Sequence, residues 1–232
     1  MFSFPPLTPV VKRLIIALFA AFVLELIFEN FAGLHVIQLL ALDPVNLGLG
    51  SIPQMVTYVF VEDPRGVGSM LIGLLFMWLI MSPFEATFGK RHTLELALAG
   101  TLGASVAVVL AAFVAPITPY LFFGSYPIAY AGMAAMTQVM RGGRMLFFGV
   151  VPMTSRQLLW VLAGFSVLQY LASRDHLMLV GSLGAILAGI GYVKYMARPP
   201  RPSRPKRTSS LRVLRGGGMG RGGDSDRPKW LN

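Results

Sequence analysis

The chain has 232 residues, of which 55% are hydrophobic and 13% are charged, whereas soluble proteins average roughly 25% charged residues. This composition excludes an ordinary water-soluble globule. Residues 1–193 hold nine basic and eight acidic groups, and residues 194–232 hold eleven basic and two acidic groups. The absence of cysteine excludes disulfides, thiolate metal sites and a cysteine nucleophile. The sequence therefore predicts a near-neutral hydrophobic body followed by a cationic tail.

Six apolar stretches approach the length of about 20 residues that a helix needs to cross a bilayer. The first is not a cleavable signal peptide, because Glu25, Glu29 and Asn30 occupy the place where a small-residue cleavage site would be needed. The predicted spans are Leu14–Phe31, Gly68–Phe88, Thr93–Ala115, Ser125–Met140, Gln157–Ala172 and Leu177–Met196.

Basic residues predict the orientation, because short loops rich in Lys and Arg stay in the cytoplasm. With the N-terminus inside, the inner segments hold 18 basic residues and the outer loops hold two; without the tail the count is seven against two. Both termini are therefore expected in the cytoplasm. The small size and the lack of a eukaryotic retention signal favour a bacterial inner membrane.

Two segments between the spans are unusually apolar. Residues 32–67 include VIQLLAL and MVTYVF, so this first loop is expected to lie in the membrane interface or to pack against the helical bundle. A shorter run, MLFFGVVPM, covers Met145–Met153 between the fourth and fifth spans. The differences in length and apolar character between the loops say more about the fold than the number of spans does.

Carboxylates inside or beside the spans have several interpretations. Glu85, near the end of the second span, is expected to snorkel, to cap a neighbouring helix or to pair with Lys90 or Arg91. Glu95 has a similar structural interpretation, and for Glu25 structural and functional roles are both open.

Small residues line one face of two predicted spans and indicate close helix packing, because lipid supplies no hydrophobic drive between helices. On the third span they are Gly100, Gly103, Ala104 and Ala107. On the sixth span they are Gly181, Gly184, Ala185, Ala188, Gly189 and Gly191.

This arrangement resembles the rhomboid superfamily. The resemblance covers residues 10–196 and depends on the six spans, the long first loop, Trp78 with Glu85-x-x-x-Gly89 in MWLIMSPFEATFGKR, and GAILAG in the sixth span. Separately, RMLFFGVVPMTSRQLLWVLAGFSVL (Arg144–Leu168) looks like the corresponding region of Derlins, which are rhomboid-like pseudoproteases of protein quality control.

The resemblance implies a serine at the start of the fourth span and a histidine in the sixth, but this chain departs from both. Matching Gly124 to the first family glycine puts Tyr126 at the nucleophile position, and matching Gly184 puts Gly181 at the histidine position. The family's oxyanion asparagine aligns with Gly73, and its Trp-Arg loop motif aligns with Pro53-Gln54. Nucleophile, base, oxyanion donor and loop motif are therefore all missing, and the chain resembles a rhomboid pseudoprotease.

One arrangement keeps a protease hypothesis open. Ser125 and His176 are predicted on the same membrane face, and a dyad between them would make the chain an atypical rhomboid-type intramembrane serine protease. A small transporter or channel is a third hypothesis, which the lack of paired ionisable groups along the spans disfavours.

The sequence therefore predicts an all-α, six-helix, rhomboid-like membrane domain over residues 1–196. Its expected function is to bind transmembrane client segments, in membrane-protein quality control or local bilayer thinning, because recognition does not require a nucleophile. No cofactor or metal is expected. The residues expected to form the client cavity or to support it are Gly73, Trp78, Glu85, Gly89, Gly124, Tyr126, Gly181, Gly184 and Gly189.

Residues 197–232 are rich in Pro, Arg, Gly and Ser and are predicted to form a disordered cytoplasmic basic tail. Such a segment adheres to anionic lipid, at about 1 kcal/mol per basic residue near the surface, or recruits a cytosolic partner. Nucleic acid is not expected as a partner, because Trp230 is the only aromatic residue of the tail.

Overall fold

The computed structural model describes residues 5–63, 66–114, 121–139, 144–147 and 151–197. A π-helical turn (Phe28–Ala32) follows the first helix, and a 3-10 turn (Tyr58–Phe60) follows the third. The helices are α1 (Pro9–Ile27), α2 (Val36–Leu40), α3 (Ser51–Thr57), α4 (Val67–Val114), α5 (Tyr126–Val139), α6 (Ser155–Ser173) and α7 (His176–Met196).

The expected all-helical class is confirmed for nearly all of the described chain, with one short exception. Strands β1 (Arg144–Phe147) and β2 (Val151–Thr154) pair antiparallel in the apolar run before α6. Helical periodicity was not evident in this run, and its aromatic and β-branched residues favour an extended backbone. The hairpin was not anticipated from the sequence.

Helix α4 is 48 residues long and is folded back on itself at Gly89, where φ is 83° and ψ is 174°. Met81 contacts Gly132 of α5, and Gly100 contacts Ala131, the residue just before Gly132. A straight helix would hold residues 81 and 100 about 28 Å apart, so the chain must reverse between them. The first arm of α4 (67–88) and the second arm (90–114) match the second and third predicted spans.

Among the described residues, two helices, α4 and α7, are long and apolar enough to cross a membrane. In their most apolar windows only 33% and 39% of the residues are buried. The core helix of a soluble protein would be covered on most sides, whereas these helices keep large apolar side chains such as Phe113 and Leu187 exposed. Length and composition thus favour membrane association of the described helices.

Helix α1 begins at Pro9 and takes its N-terminal cap from a distant residue. The Glu85 carboxylate accepts hydrogen bonds from the backbone N–H of Val10, at 3.0 and 3.1 Å, and of Val11, at 3.0 Å. These groups belong to the first helical turn, where no intrahelical acceptor exists. Of the three roles expected for Glu85, helix capping is therefore the one observed, and it ties α1 to the first arm of α4.

The close helix packing that the small residues predict is observed, and the structure shows that parts of the two small-residue faces contact each other. A Cβ atom added at Gly184 would lie 2.5 Å from the carbonyl oxygen of Gly103 and 2.5 Å from the Cβ of Ala107. A Cβ at Gly103 would overlap the Cβ of Ala188. We call Gly103, Ala107, Gly184 and Ala188 the glycine seam, which joins the second arm of α4 to α7.

The first loop packs against the bundle, which confirms one of its two expected placements. Tyr58 is fully buried, and its hydroxyl donates to the carbonyl oxygen of Thr101 at 2.9 Å. Leu42 forms an antiparallel bridge with Phe122, the residue that leads toward α5. The loop thus braces the entry into α5. The predicted tail lies outside the described residues, apart from Ala197.

Candidate functional site

A cavity of about 350 Å³ opens between α4, α5, α6, α7 and the end of the first loop. Most of its lining is apolar, and Glu62, Ser69 and Ser125 supply polar groups. The described lining residues are Glu62, Ser69, Ile72, Gly73, Phe76, Ser125, Tyr126, Ala129, Tyr130, Met133, Phe165 and Met178. A mostly apolar cavity with a few converging polar groups is typical of a binding site.

The chain enters α5 through a constrained turn. Gly124 has a φ of 116°, in the left-handed region that favours glycine, and its N–H donates to the carbonyl oxygen of Tyr58 at 3.1 Å. A Cβ there would also crowd the ring of Tyr126, at 3.0 Å from Cδ1. Gly124 therefore fixes the backbone that presents Ser125 and Tyr126 to the cavity.

Glu62 holds Ser125 by two hydrogen bonds to a single oxygen. The Ser125 hydroxyl donates to Glu62 Oε1 at 2.6 Å, and the Ser125 N–H donates to the same atom at 2.8 Å. Burial raises the pKa of the Glu62 carboxyl above its ordinary value, and the two Ser125 hydrogen bonds oppose that rise. Glu62 thus caps α5 from the first loop, much as Glu85 caps α1.

Glu25 lies behind Glu62. It is 2% exposed, and its Oε2 accepts a hydrogen bond from the Glu62 N–H at 3.2 Å. Its Oε1 is buried and has no hydrogen-bond partner within the described residues. Glu25 thus supports the backbone of the residue that holds Ser125, which favours a structural role for this carboxyl.

The two positions that the rhomboid resemblance matches to catalytic residues, Tyr126 and Gly181, lie next to each other in the fold. A Cβ at Gly181 would lie 3.1 Å from the Tyr126 hydroxyl oxygen and 2.5 Å from Cε2 of Phe122. The ring of Phe122 thus fills the space that a side chain at Gly181 would need. The Tyr126 hydroxyl is buried, and no described residue forms a hydrogen bond with it. Neither position thus holds the serine or the histidine that the resemblance implies.

The structure does not bring together Ser125 and His176, which were considered as a dyad. The Ser125 hydroxyl donates to Glu62, and Ser125 is 5% exposed. His176 is exposed, with its ring centroid 5.0 Å from that of Tyr170. No hydrogen bond joins the serine to the histidine in the described chain, because each group is directed to a different neighbour.

The remaining predicted site residues divide into two groups. Gly73 lines the cavity, with nothing within 4 Å of the place that a Cβ would occupy. The others are not in its described lining and instead shape or join the helices. They are Trp78, which is partly buried, Glu85 at the α1 cap, Gly89 at the reversal of α4, Gly124 at the turn, Gly184 in the glycine seam, and Gly189, which contacts Ala131.

Sequence reasoning missed Glu62, Phe165 and Met178 as cavity residues. Glu62 has a visible signal, because it is a carboxylate at the end of the apolar run MVTYVFVED. Phe165 and Met178 have none, since they are ordinary apolar residues of α6 and α7. Only their tertiary positions bring them to the cavity.

Nothing in the described ranges gathers three or more His, Asp or Glu side chains that could hold a metal ion. No protein-family model matches this chain, and no curated protein sequence matches it either.

Proposed function

We propose that this protein is a catalytically inactive, rhomboid-like membrane protein that binds transmembrane segments of client proteins. Its task would be membrane-protein quality control or local thinning of the bilayer. Both termini would face the cytoplasm of a bacterium, and the tail 197–232 would bind anionic lipid or a cytosolic partner. The cavity beside Tyr126 is the observation that carries the proposal.

The cavity supports binding because its lining suits an apolar guest. Phe165, Met133 and Met178 are large, apolar and contributed by three different helices. Methionine side chains adapt to partners of varied shape, which suits a site for many different clients. Gly73 keeps one wall open, because it carries no side chain.

The missing chemistry supports inactivity. A serine nucleophile needs a base within hydrogen-bond reach and an oxyanion site. The Glu62 carboxylate lies within reach of the Ser125 hydroxyl, but the same oxygen also accepts the Ser125 N–H as part of the α5 cap. No hydrogen bond joins Ser125 to a histidine in the described chain, and the Phe122 ring fills the space beside Gly181. Tyr126 offers a buried phenol where a nucleophile is expected from the resemblance.

The lengths of the helices bear on the proposed local thinning of the bilayer. The described part of α5 has 14 residues and spans about 21 Å, and a helix that ended at Val139 would be shorter than the roughly 30 Å of a typical hydrocarbon core. Such a mismatch favours local thinning of lipid. Helix α6 has 19 residues, more than the predicted Gln157–Ala172, so this support comes from α5 alone.

Photocrosslinking in vesicles tests client binding. A photoreactive phenylalanine analogue replaces Phe165 in the full chain, which is reconstituted in phosphatidylcholine with a labelled apolar peptide of about 20 residues. We expect crosslinking that saturates and that unlabelled peptide competes away. The same analogue at Trp160, a residue of α6 that is 74% exposed and outside the cavity lining, should give only non-saturable labelling.

Filling the cavity provides the matched control. Gly73→Leu places a side chain in open space and should abolish saturable crosslinking, whereas Gly191→Leu, also in open space but outside the cavity lining, should preserve it. Equal crosslinking in both variants would contradict the proposal. Covalent labelling by a fluorophosphonate that disappears in Ser125→Ala would contradict catalytic inactivity.

A further inference from the structure

The polar end of the cavity has one carboxylate oxygen still available. Both Ser125 hydrogen bonds go to Glu62 Oε1, and within the described chain no hydrogen bond reaches Oε2. Oε2 is also not among the buried polar atoms that lack a partner. Because Glu62 lines the cavity and is only partly buried, Oε2 remains open to a guest.

The charge of the lining is unbalanced. Glu62 is the one carboxylate among the described lining residues, and none of them is Lys, Arg or His. A charged group taken out of water is costly unless it is paired. The described lining thus supplies no cation to pair with this carboxylate.

The size of the cavity limits what can enter. One turn of an α-helix with its side chains fills roughly 420–610 Å³, as follows from a diameter of 10–12 Å and a pitch of 5.4 Å. The cavity holds about 350 Å³. A client helix must therefore lie against the opening and insert one or two side chains. A long side chain with an apolar stem and a polar tip matches an apolar cavity with a polar end.

We propose that Glu62 selects clients that carry a lysine or arginine near the end of their transmembrane helix, with the cationic side chain inserted into the cavity and paired with Oε2. The inference rests on the proposed function and adds a client class to it. Glu62 lies five residues before the start of α4 at Val67, so the cation is expected near the end of the client's apolar segment rather than at its centre.

Three peptides of equal length test this selection in the Phe165 crosslinking experiment. They carry lysine, glutamine or leucine at one position near the end of the apolar helix, and each is reconstituted with the full chain in phosphatidylcholine vesicles. We expect the lysine peptide to be captured roughly tenfold more efficiently than the other two, as a hydrogen bond to a charged group provides. The glutamine peptide can donate a hydrogen bond but carries no charge, so it shows whether capture depends on charge or on hydrogen bonding alone.

Two variants identify the selecting group. Glu62→Gln keeps an oxygen that can accept from Ser125 but removes the charge, so the three peptides should be captured equally. Asp63→Asn removes the same charge one residue away and outside the described cavity lining, and it should keep the preference for lysine. Loss of the preference in Asp63→Asn alone would overturn the assignment to Glu62.

The outcomes separate this inference from the function on which it rests. Saturable but equal capture of all three peptides by the unchanged protein would overturn the selection and leave client binding intact. If no peptide is captured saturably, client binding itself fails. A preference that disappears when phosphatidylethanolamine is added would identify a lipid ammonium group as the occupant and would overturn the peptide assignment.

Discussion

The glycine seam and the cavity use the same residue type for opposite purposes. At Gly184 a Cβ atom would lie 2.5 Å from the backbone of Gly103, so the missing side chain allows two helices to touch. At Gly73 nothing lies within 4 Å of the same atom, so the missing side chain leaves an empty space. The two helices of the seam thus form a closed contact, whereas the first arm of α4 faces an opening.

The difference teaches that a glycine in a membrane helix is not by itself a packing signal. Close packing between apolar helices requires matched small residues on both partners. Gly103 and Gly184 face each other, whereas Gly73 faces the cavity. The contrast predicts that substitutions at the seam affect folding, and that substitutions at the cavity affect binding.

The largest expected effect is at the seam. Gly184→Leu should lower the free energy of unfolding by about 3 kcal/mol or more, because overpacking against backbone cannot be relieved by a rotamer change. Thermal unfolding of the purified protein in detergent measures the loss. Gly191→Leu on the same helix meets open space and should change stability little; equal losses in the two variants would break the contrast.

Removal of the α1 cap is expected to have the next largest effect. Glu85→Ala leaves the N–H groups of Val10 and Val11 without their acceptor and should cost about 2 kcal/mol. Equilibrium unfolding in denaturant gives the value. Glu29→Ala, which removes a carboxylate outside that contact, serves as the control. A negligible loss for Glu85→Ala would show that α1 does not depend on this bond.

A polar contact at the end of the seam is expected to contribute less. The Tyr192 hydroxyl donates to Glu95 at 2.8 Å and lies 2.8 Å from His92 Nδ1, which joins α7 to the start of the second arm. Tyr192→Phe should cost about 1 kcal/mol in unfolding free energy. Tyr195→Phe, at a residue that is 69% exposed, should lower the unfolding free energy by less. A larger loss in Tyr195→Phe than in Tyr192→Phe would show that the Tyr192 hydroxyl is not the stabilising contact.

The smallest effect is expected at the cavity, with the opposite sign. Gly73→Ala should raise the free energy of unfolding by about 0.5–1 kcal/mol, because alanine is the better helix former and its methyl group meets no atom. The same change should weaken peptide capture by narrowing the cavity. If Gly73→Ala destabilises the protein and leaves peptide capture unchanged, Gly73 is a packing residue like those of the glycine seam and not a cavity residue.

Much of the fold could be predicted, because apolar runs, basic loops and small-residue faces are local or periodic features. The two arms of α4 and the reversal between them followed from such patterns, as did close packing at the small-residue faces, but the pairing of Gly103 with Gly184 came only from the structure. The hairpin before α6 did not, because a short apolar run has no periodicity that separates a strand from a helix. For Glu85, three roles were consistent with the sequence, and only the position of α1 decided among them.

The sequence by itself determined that this is a hydrophobic chain with helix-length apolar stretches and a cationic tail, and that Tyr126 and Gly181 stand at the two positions that the rhomboid resemblance matches to catalytic residues. Composition and residue identity are independent of how the chain folds. Only the tertiary structure decided that Ser125 is held by Glu62 rather than by His176, and that Gly73, Tyr126 and Phe165 line one cavity. Those contacts join residues distant in the sequence, and their partners depend on how the helices pack.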